Sequence, residues 1–201
     1  MRASGSHSIR YDGCVVDDSQ LIMGDTRWGS DGVGTLVNAT VAQIGLYASF
    51  HGIAERAAML VRDEVQTRTK QPHGLPMARN EGIQRCSGEI EVLLETSRSM
   101  LERLGRILDD CWARPVAELD VEMLLDVSRS VQAAKLVTNR AAIDVVDLAL
   151  TMSGGAGYMT KHPLSRLYRD VRAGPFMQPT SPVDAPAYIG RLSLGLDPHP
   201  D

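Results

Sequence analysis

Between Met152 and Gln178 the chain reads MSGGAGYMTKHPLSRLYRDVRAGPFMQ. Gly154, Gly155 and Gly157 fall within four positions of one another. A helix end needs only one glycine in the left-handed region. Three so close together allow the backbone to approach something flat or phosphorylated. Arg169, Asp170 and Arg172 follow as a charge run. A buried aspartate between arginines would lock a loop, and would serve poorly as a general base. His7, His51, His73, His162 and His199 show no HxH or HExxH pairing, so no metal site is expected. Cys14, Cys86 and Cys111 lack CxxC spacing and read as free thiols in a reducing cytoplasm.

Long helices must position these groups. From Val33 the apolar positions Leu36, Val37, Val41, Ile44, Tyr47, Ala48, Ala54, Ala58, Val61 and Val65 keep the 3–4 spacing of an amphipathic helix. Gln71-Pro72-His73-Gly74 stops it, and Pro76 can open the next helix. That helix carries one stripe of Ile83, Cys86, Ile90, Leu93, Leu94, Ser97, Leu101, Leu104, Leu108 and Cys111. Asp120 is placed to cap a third. Its stripe runs Val121, Leu124, Leu125, Ser128 and Val131, then resumes at Val137, Ala141, Ala142, Val145, Val146 and Leu148. Gly154-Gly155 ends it. A short helix is expected over 164–171, and Ser181 or Asp184 would cap a last one carrying Tyr188, Ile189, Leu192 and Leu194. Tyr158 is expected to pack. Ile9 to Val16 alternate as a strand, unless Asp12-Gly13 turns. The expected fold is all-α: an antiparallel four-helix-type bundle of three long helices and shorter C-terminal ones, with a short N-terminal β segment.

Composition agrees. Across 201 residues, 43% are hydrophobic and only 4% aromatic, which favours an aliphatic helical core over a sandwich. The net charge of −4 argues against a nucleic-acid or membrane-surface binder. No apolar run approaches the ~20 residues of a membrane span.

The order GGAGY…PLSRLYRD, at 154–158 and 163–170, resembles the C-terminal domain of the acyl-CoA dehydrogenase family, whose members show a GGxGY…PLxRLxRD run. The resemblance covers nearly the whole chain. It implies FAD as cofactor and α,β-dehydrogenation of an acyl-CoA thioester by a cytoplasmic oligomer. Residues 1–30 look like the end of the family's middle β-domain, and 31–201 like its helical bundle. The family's RxxFGxP motif, which reaches a neighbouring subunit's FAD pyrophosphate, corresponds to Lys70-Gln71-Pro72-His73-Gly74-Leu75-Pro76. Gly74 and Pro76 match. Lys70 stands at the Arg position with Arg68 nearby, and either could supply the cation; a solvated basic turn is the alternative. By the same resemblance Gly154, Gly155 and Gly157 approach the FAD adenosine end. Thr180 falls at the Thr of the family's EGT motif, which touches the flavin cofactor.

One departure is chemical. Gln178 occupies the Glu of EGT, the family's catalytic base, and an amide cannot take a proton at neutral pH. The family's alternative Glu position holds Thr35. The resemblance therefore implies an oxidoreductase that is incomplete alone, a base being available from a related subunit in a heteromer. It also admits a flavin-dependent monooxygenase of the same fold, or a non-catalytic oligomerisation subunit. Ala133, Ala134, Ala141 and Ala142 offer a small-residue face for assembly.

Overall fold

A computed structural model describes residues 7–20, 33–70, 74–115, 118–177 and 180–198. Three long helices run up, down and up: α1 (Val33–Thr67), α2 (Glu81–Trp112) and α3 (Val121–Ser153). α3 packs along both of the others. A hairpin of two short strands, β1 (Thr69–Lys70) and β2 (Leu75–Pro76), turns the chain between α1 and α2. It pairs Thr69 with Pro76 and Lys70 with Leu75. Three shorter helices follow α3: α4 (Gly155–Tyr158), α5 (Pro163–Val171) and α6 (Asp184–Ser193).

The helix ends follow local chemistry. Asn80 caps α2 by accepting from the amides of Gly82 and Ile83. Pro76 therefore does not open α2; it belongs to the hairpin ladder, where its missing N–H costs nothing at an edge. Asp120 caps α3, its Oδ1 accepting from Met123 N at 2.8 Å. Gly154 closes α3 at φ 68°. His162 caps α5, Nδ1 accepting from Leu164 N at 3.2 Å.

Ile9 to Val16 form no ladder among the described residues; the chain bends at Gly13, and Ile9, Tyr11, Val15 and Val16 are exposed. A strand without a neighbour has nothing to hold its amides and carbonyls. The alanines expected to mediate assembly are also placed otherwise. Ala134, Ala141 and Ala142 are buried inside the bundle, where their small side chains let α3 lie close to its neighbours.

The core divides into two compartments. One gathers Phe50, Ala54, Val61, Ile90, Leu94, Val145, Val146 and Leu164. The other holds Tyr47, Leu104, Leu108, Leu124, Val127 and Val131. Between them sit buried polar residues, Ser97 on α2 and Lys135, Thr138 and Asn139 on α3, with buried His51 of α1 beside Ser97. His51 Nδ1 lies 3.0 Å from Ser97 Oγ, joining α1 to α2. Its Nε2 lies 3.3 Å from Glu55 Oε1, which also accepts from Arg98 Nη2 at 2.8 Å.

The Arg98 hydrogen bond, helped by His51, holds the Glu55 carboxyl below its ordinary 4.5. A depressed carboxylate stabilises the fold above its unfolded pKa and loses that contribution as pH falls through the folded value. Urea unfolding should therefore show wild type more stable than Glu55→Gln at pH 7. The two midpoints should converge once the pH drops below 4.5. A constant difference across that range would remove Glu55 as the source.

Candidate functional site

Arg68, Lys70, Gly74 and the glycines after α3 come together at one end of the bundle. Arg68 directly follows α1. Its backbone carbonyl accepts from Met77 N at 2.9 Å, which ties off the hairpin. Gly74 sits in the hairpin turn at φ 62°, its N–H donating to Lys70 O at 3.2 Å. Arg68 Nη1 donates to Glu64 Oε1 at 2.7 Å and to Ser153 O at 3.0 Å. Ser153 Oγ donates to Glu64 Oε2 at 2.6 Å, and His162 Nε2 stands 3.7 Å from the same oxygen. Glu64 thus fastens the end of α1, the glycine turn and the start of α5 to one another. Such charge-assisted bonds are the strong ones, and Glu64 is largely shielded.

The glycines divide by role. Gly157 is buried, and a Cβ there would lie 2.7 Å from Ser153 Oγ and 2.9 Å from Ser153 Cβ. Its lack of a side chain lets α4 fold back onto the end of α3. A Cβ on Gly154 or Gly155 would meet nothing within 4 Å, so these two backbones face open space. Lys70 is exposed. An open glycine backbone near a cation is chemically suited to a phosphate-bearing ligand.

Thr180 lies elsewhere. Its Oγ1 donates to Gln132 Oε1, and its carbonyl accepts from Lys135 Nζ. The same ammonium donates to Met177 O. Gln132 and Lys135 are both buried, and burial pushes the Lys135 pKa down. From Gln132 to Ser153 α3 runs roughly 30 Å at ~1.5 Å per residue, so Thr180 stands well away from the glycine corner. Gln178 lies outside the described residues. Thr35 lies in the first turn of α1. A cavity of about 630 Å³ opens beside the Thr180 loop, lined by Lys135, Asn139, Arg140, Asp144, Arg172 and Phe176.

Two expectations are corrected. Asp170 is half-buried rather than buried, with Arg169 and Arg172 exposed, because α5 turns Leu164, Leu167 and Val171 inward instead. Tyr158 does not pack: it is 75% exposed on the single turn of α4, beside exposed Met159. Sequence reasoning did not single out Gln132, Lys135, Glu64 or Ser153, nor His162 as a member of this corner. A signal for the first two existed, since the apolar stripe of α3 lapses between Val131 and Val137. Among the described residues no cluster of His, Cys, Asp or Glu could hold a metal ion, and no helix is long and apolar enough to cross a membrane.

The up-down-up bundle, closed by a glycine corner and with Met177 and Thr180 bonded to its third helix, has the architecture of a known helical domain. The family description "Acyl-CoA dehydrogenase, C-terminal domain" matches residues 36–184. The chain belongs to the acyl-CoA dehydrogenase family. It is 36% identical to amino sugar nitrososynthase DnmZ of Streptomyces peucetius, over 97% of this chain and 46% of that protein. It also resembles the solved nitrososynthase from Micromonospora carbonacea var. africana, with TM-score 0.72 and 32% identity over 82% of this chain and 42% of that one. A third relative is KijD3 in complex with FMN and dTDP-3-amino-2,3,6-trideoxy-4-keto-3-methyl-D-glucose. It gives TM-score 0.74 and 29% identity over 84% of this chain and 40% of that one. The chain spans about half the length of the curated relatives it matches.

Proposed function

We propose that this chain is the C-terminal part of an FAD-dependent monooxygenase that oxidises the amino nitrogen of a nucleotide-linked sugar. The observation that carries the reading is Gln178 in the sequence. Removing an α-proton from an acyl-CoA needs a carboxylate at the family's base position, and by the motif resemblance Gln178, an amide, corresponds to it. Oxidation at nitrogen begins at a lone pair and needs no such base. Amine, dioxygen, two electrons and two protons give hydroxylamine and water, and a second round leads to the nitroso level. The relatives named for nitroso synthesis, and the amino-sugar nucleotide held by one of them, support this substrate class.

Bound FAD would supply the electrons and the reaction with oxygen. Gly154, Gly155 and Lys70 suit its nucleotide end, with Arg68 bracing the corner, and Gly74 shapes the turn beside them. Gly157 lets that corner close. Thr180 suits the flavin side. Because the two groups stand far apart on one chain, we assign them to two copies of the cofactor, each completed by a neighbouring subunit in a homo-oligomer. Residues 1–30 would then belong to the preceding β-domain, and 31–201 to this bundle.

The test uses the full-length protein loaded with FAD. With a flavin-reducing partner, oxygen and a dTDP-amino sugar, the product should gain oxygen at nitrogen by mass spectrometry. Anaerobic addition of an acyl-CoA should leave the flavin colour unchanged. Bleaching by acyl-CoA, strengthened by Gln178→Glu, would instead establish the dehydrogenase chemistry and overturn the proposal.

A further inference from the structure

We propose that Lys135 and Gln132 are positioning residues that fix Met177 and Thr180 against α3, and so set the flavin-side environment. The inference rests on the flavin reading above.

Lys135 is 1% exposed and Gln132 is 2% exposed. They stand three residues apart on α3, on one face. The Lys135 ammonium donates to Met177 O and Thr180 O, the carbonyls on either side of Gln178-Pro179. Gln132 accepts from the Thr180 hydroxyl. Met177 and Thr180 are thus both held from one turn of α3.

Burial lowers the Lys135 pKa, and among the described residues no ion pair involves its ammonium. An unpaired ammonium inside a protein is costly, and methionine would fill similar space without that cost. What methionine cannot do is satisfy two carbonyls at once. The ammonium has three donors that can diverge, and two of them meet these oxygens. This arrangement makes the position of the loop, rather than general stability, the property that Lys135 secures.

The experiment compares full-length wild type, Lys135→Met, Thr180→Val and a packing control, Val146→Ala, in the core cluster of Phe50 and Leu164. Hydrogen exchange is followed with and without FAD, together with FAD affinity and the absorption spectrum of the bound flavin. Lys135→Met should keep native helix content, speed exchange across the 177–184 peptide about tenfold, weaken FAD about tenfold and shift the flavin spectrum. Thr180→Val removes only the Gln132 bond and should speed the same peptide by about threefold. Val146→Ala should lower the melting temperature without altering that peptide or the spectrum. If Lys135→Met does not fold, Thr180→Val decides alone. Wild-type exchange at 177–184 in both loop variants overturns the proposal. Failure of wild type to bind FAD sinks the flavin reading, while the exchange comparison still decides whether these side chains hold the loop.

Discussion

Leu164→Ala should unfold with about 3–4 kcal/mol less free energy than wild type, within the range for buried leucine truncations. For a domain near 200 residues that corresponds to a fall of roughly 10 °C in melting temperature. Leu164 is fully buried in the first turn of α5 and shares a cluster with Phe50, Val145, Val146 and Met152. It is the point at which α5 is driven onto α1 and α3. Polar bonds at the His162 cap orient the helix but do not replace this contact. Leu196→Ala, at a 56% exposed position, should change stability by less than about 0.5 kcal/mol. Equal losses in the two variants, measured by urea denaturation, would mean that α5 is not docked as described.

Gly157→Ala should cost about 2 kcal/mol, as overpacking of a tight contact does. The added methyl would press on Ser153 Cβ as well as Oγ, and a serine has no long flexible arm to withdraw. Displacing Ser153 also disturbs its bond to Glu64, so the corner joining α1, α3 and α5 loosens with it. Gly155→Ala is the informative partner. Its methyl meets nothing and its φ is ordinary, so folding should be unchanged or slightly stabilised, by about 0.5 kcal/mol. Under the proposed function it should still weaken FAD, because the methyl stands where the nucleotide would approach. Denaturation and FAD titration of the two alanine variants separate the glycine that builds the corner from the one that faces outward. Stable Gly157→Ala would contradict the packing geometry.

The bundle was legible in the sequence because aliphatic spacing and capping residues act locally. On α1 the predicted Tyr47, Ala54, Ala58, Val61 and Val65 are buried, whereas Ala48 is exposed and Phe50 and Ala57 join the face instead; on α2 Ile90, Leu94, Ser97, Leu104, Leu108 and Cys111 are buried, with Leu93 and Leu101 half-buried at its edges. Asp120 and Gly154 bound α3 as their chemistry requires. The site was legible only in part. Arg68 and the glycines were named from the order of motifs, but their junction through Glu64 depends on residues far apart in the chain. Lys135 and Gln132 read as polar interruptions of a stripe, and only packing shows that they face inward. Val137 was placed on that stripe, whereas Ala134 and Thr138 occupy it. Asp170 was placed too deep for a similar reason: the inward side of a nine-residue helix is set by the leucines that dock first.

The polar belt between the two hydrophobic compartments bears on how the molecule breathes. The buried apolar residues on its two sides form separate clusters, joined through the three long helices that run across it. Lys135, which holds Met177 O and Thr180 O, lies in this belt. A chain stressed by heat or denaturant should therefore release Met177 and Thr180 from α3 before its long helices dissolve, while most of its helical signal persists.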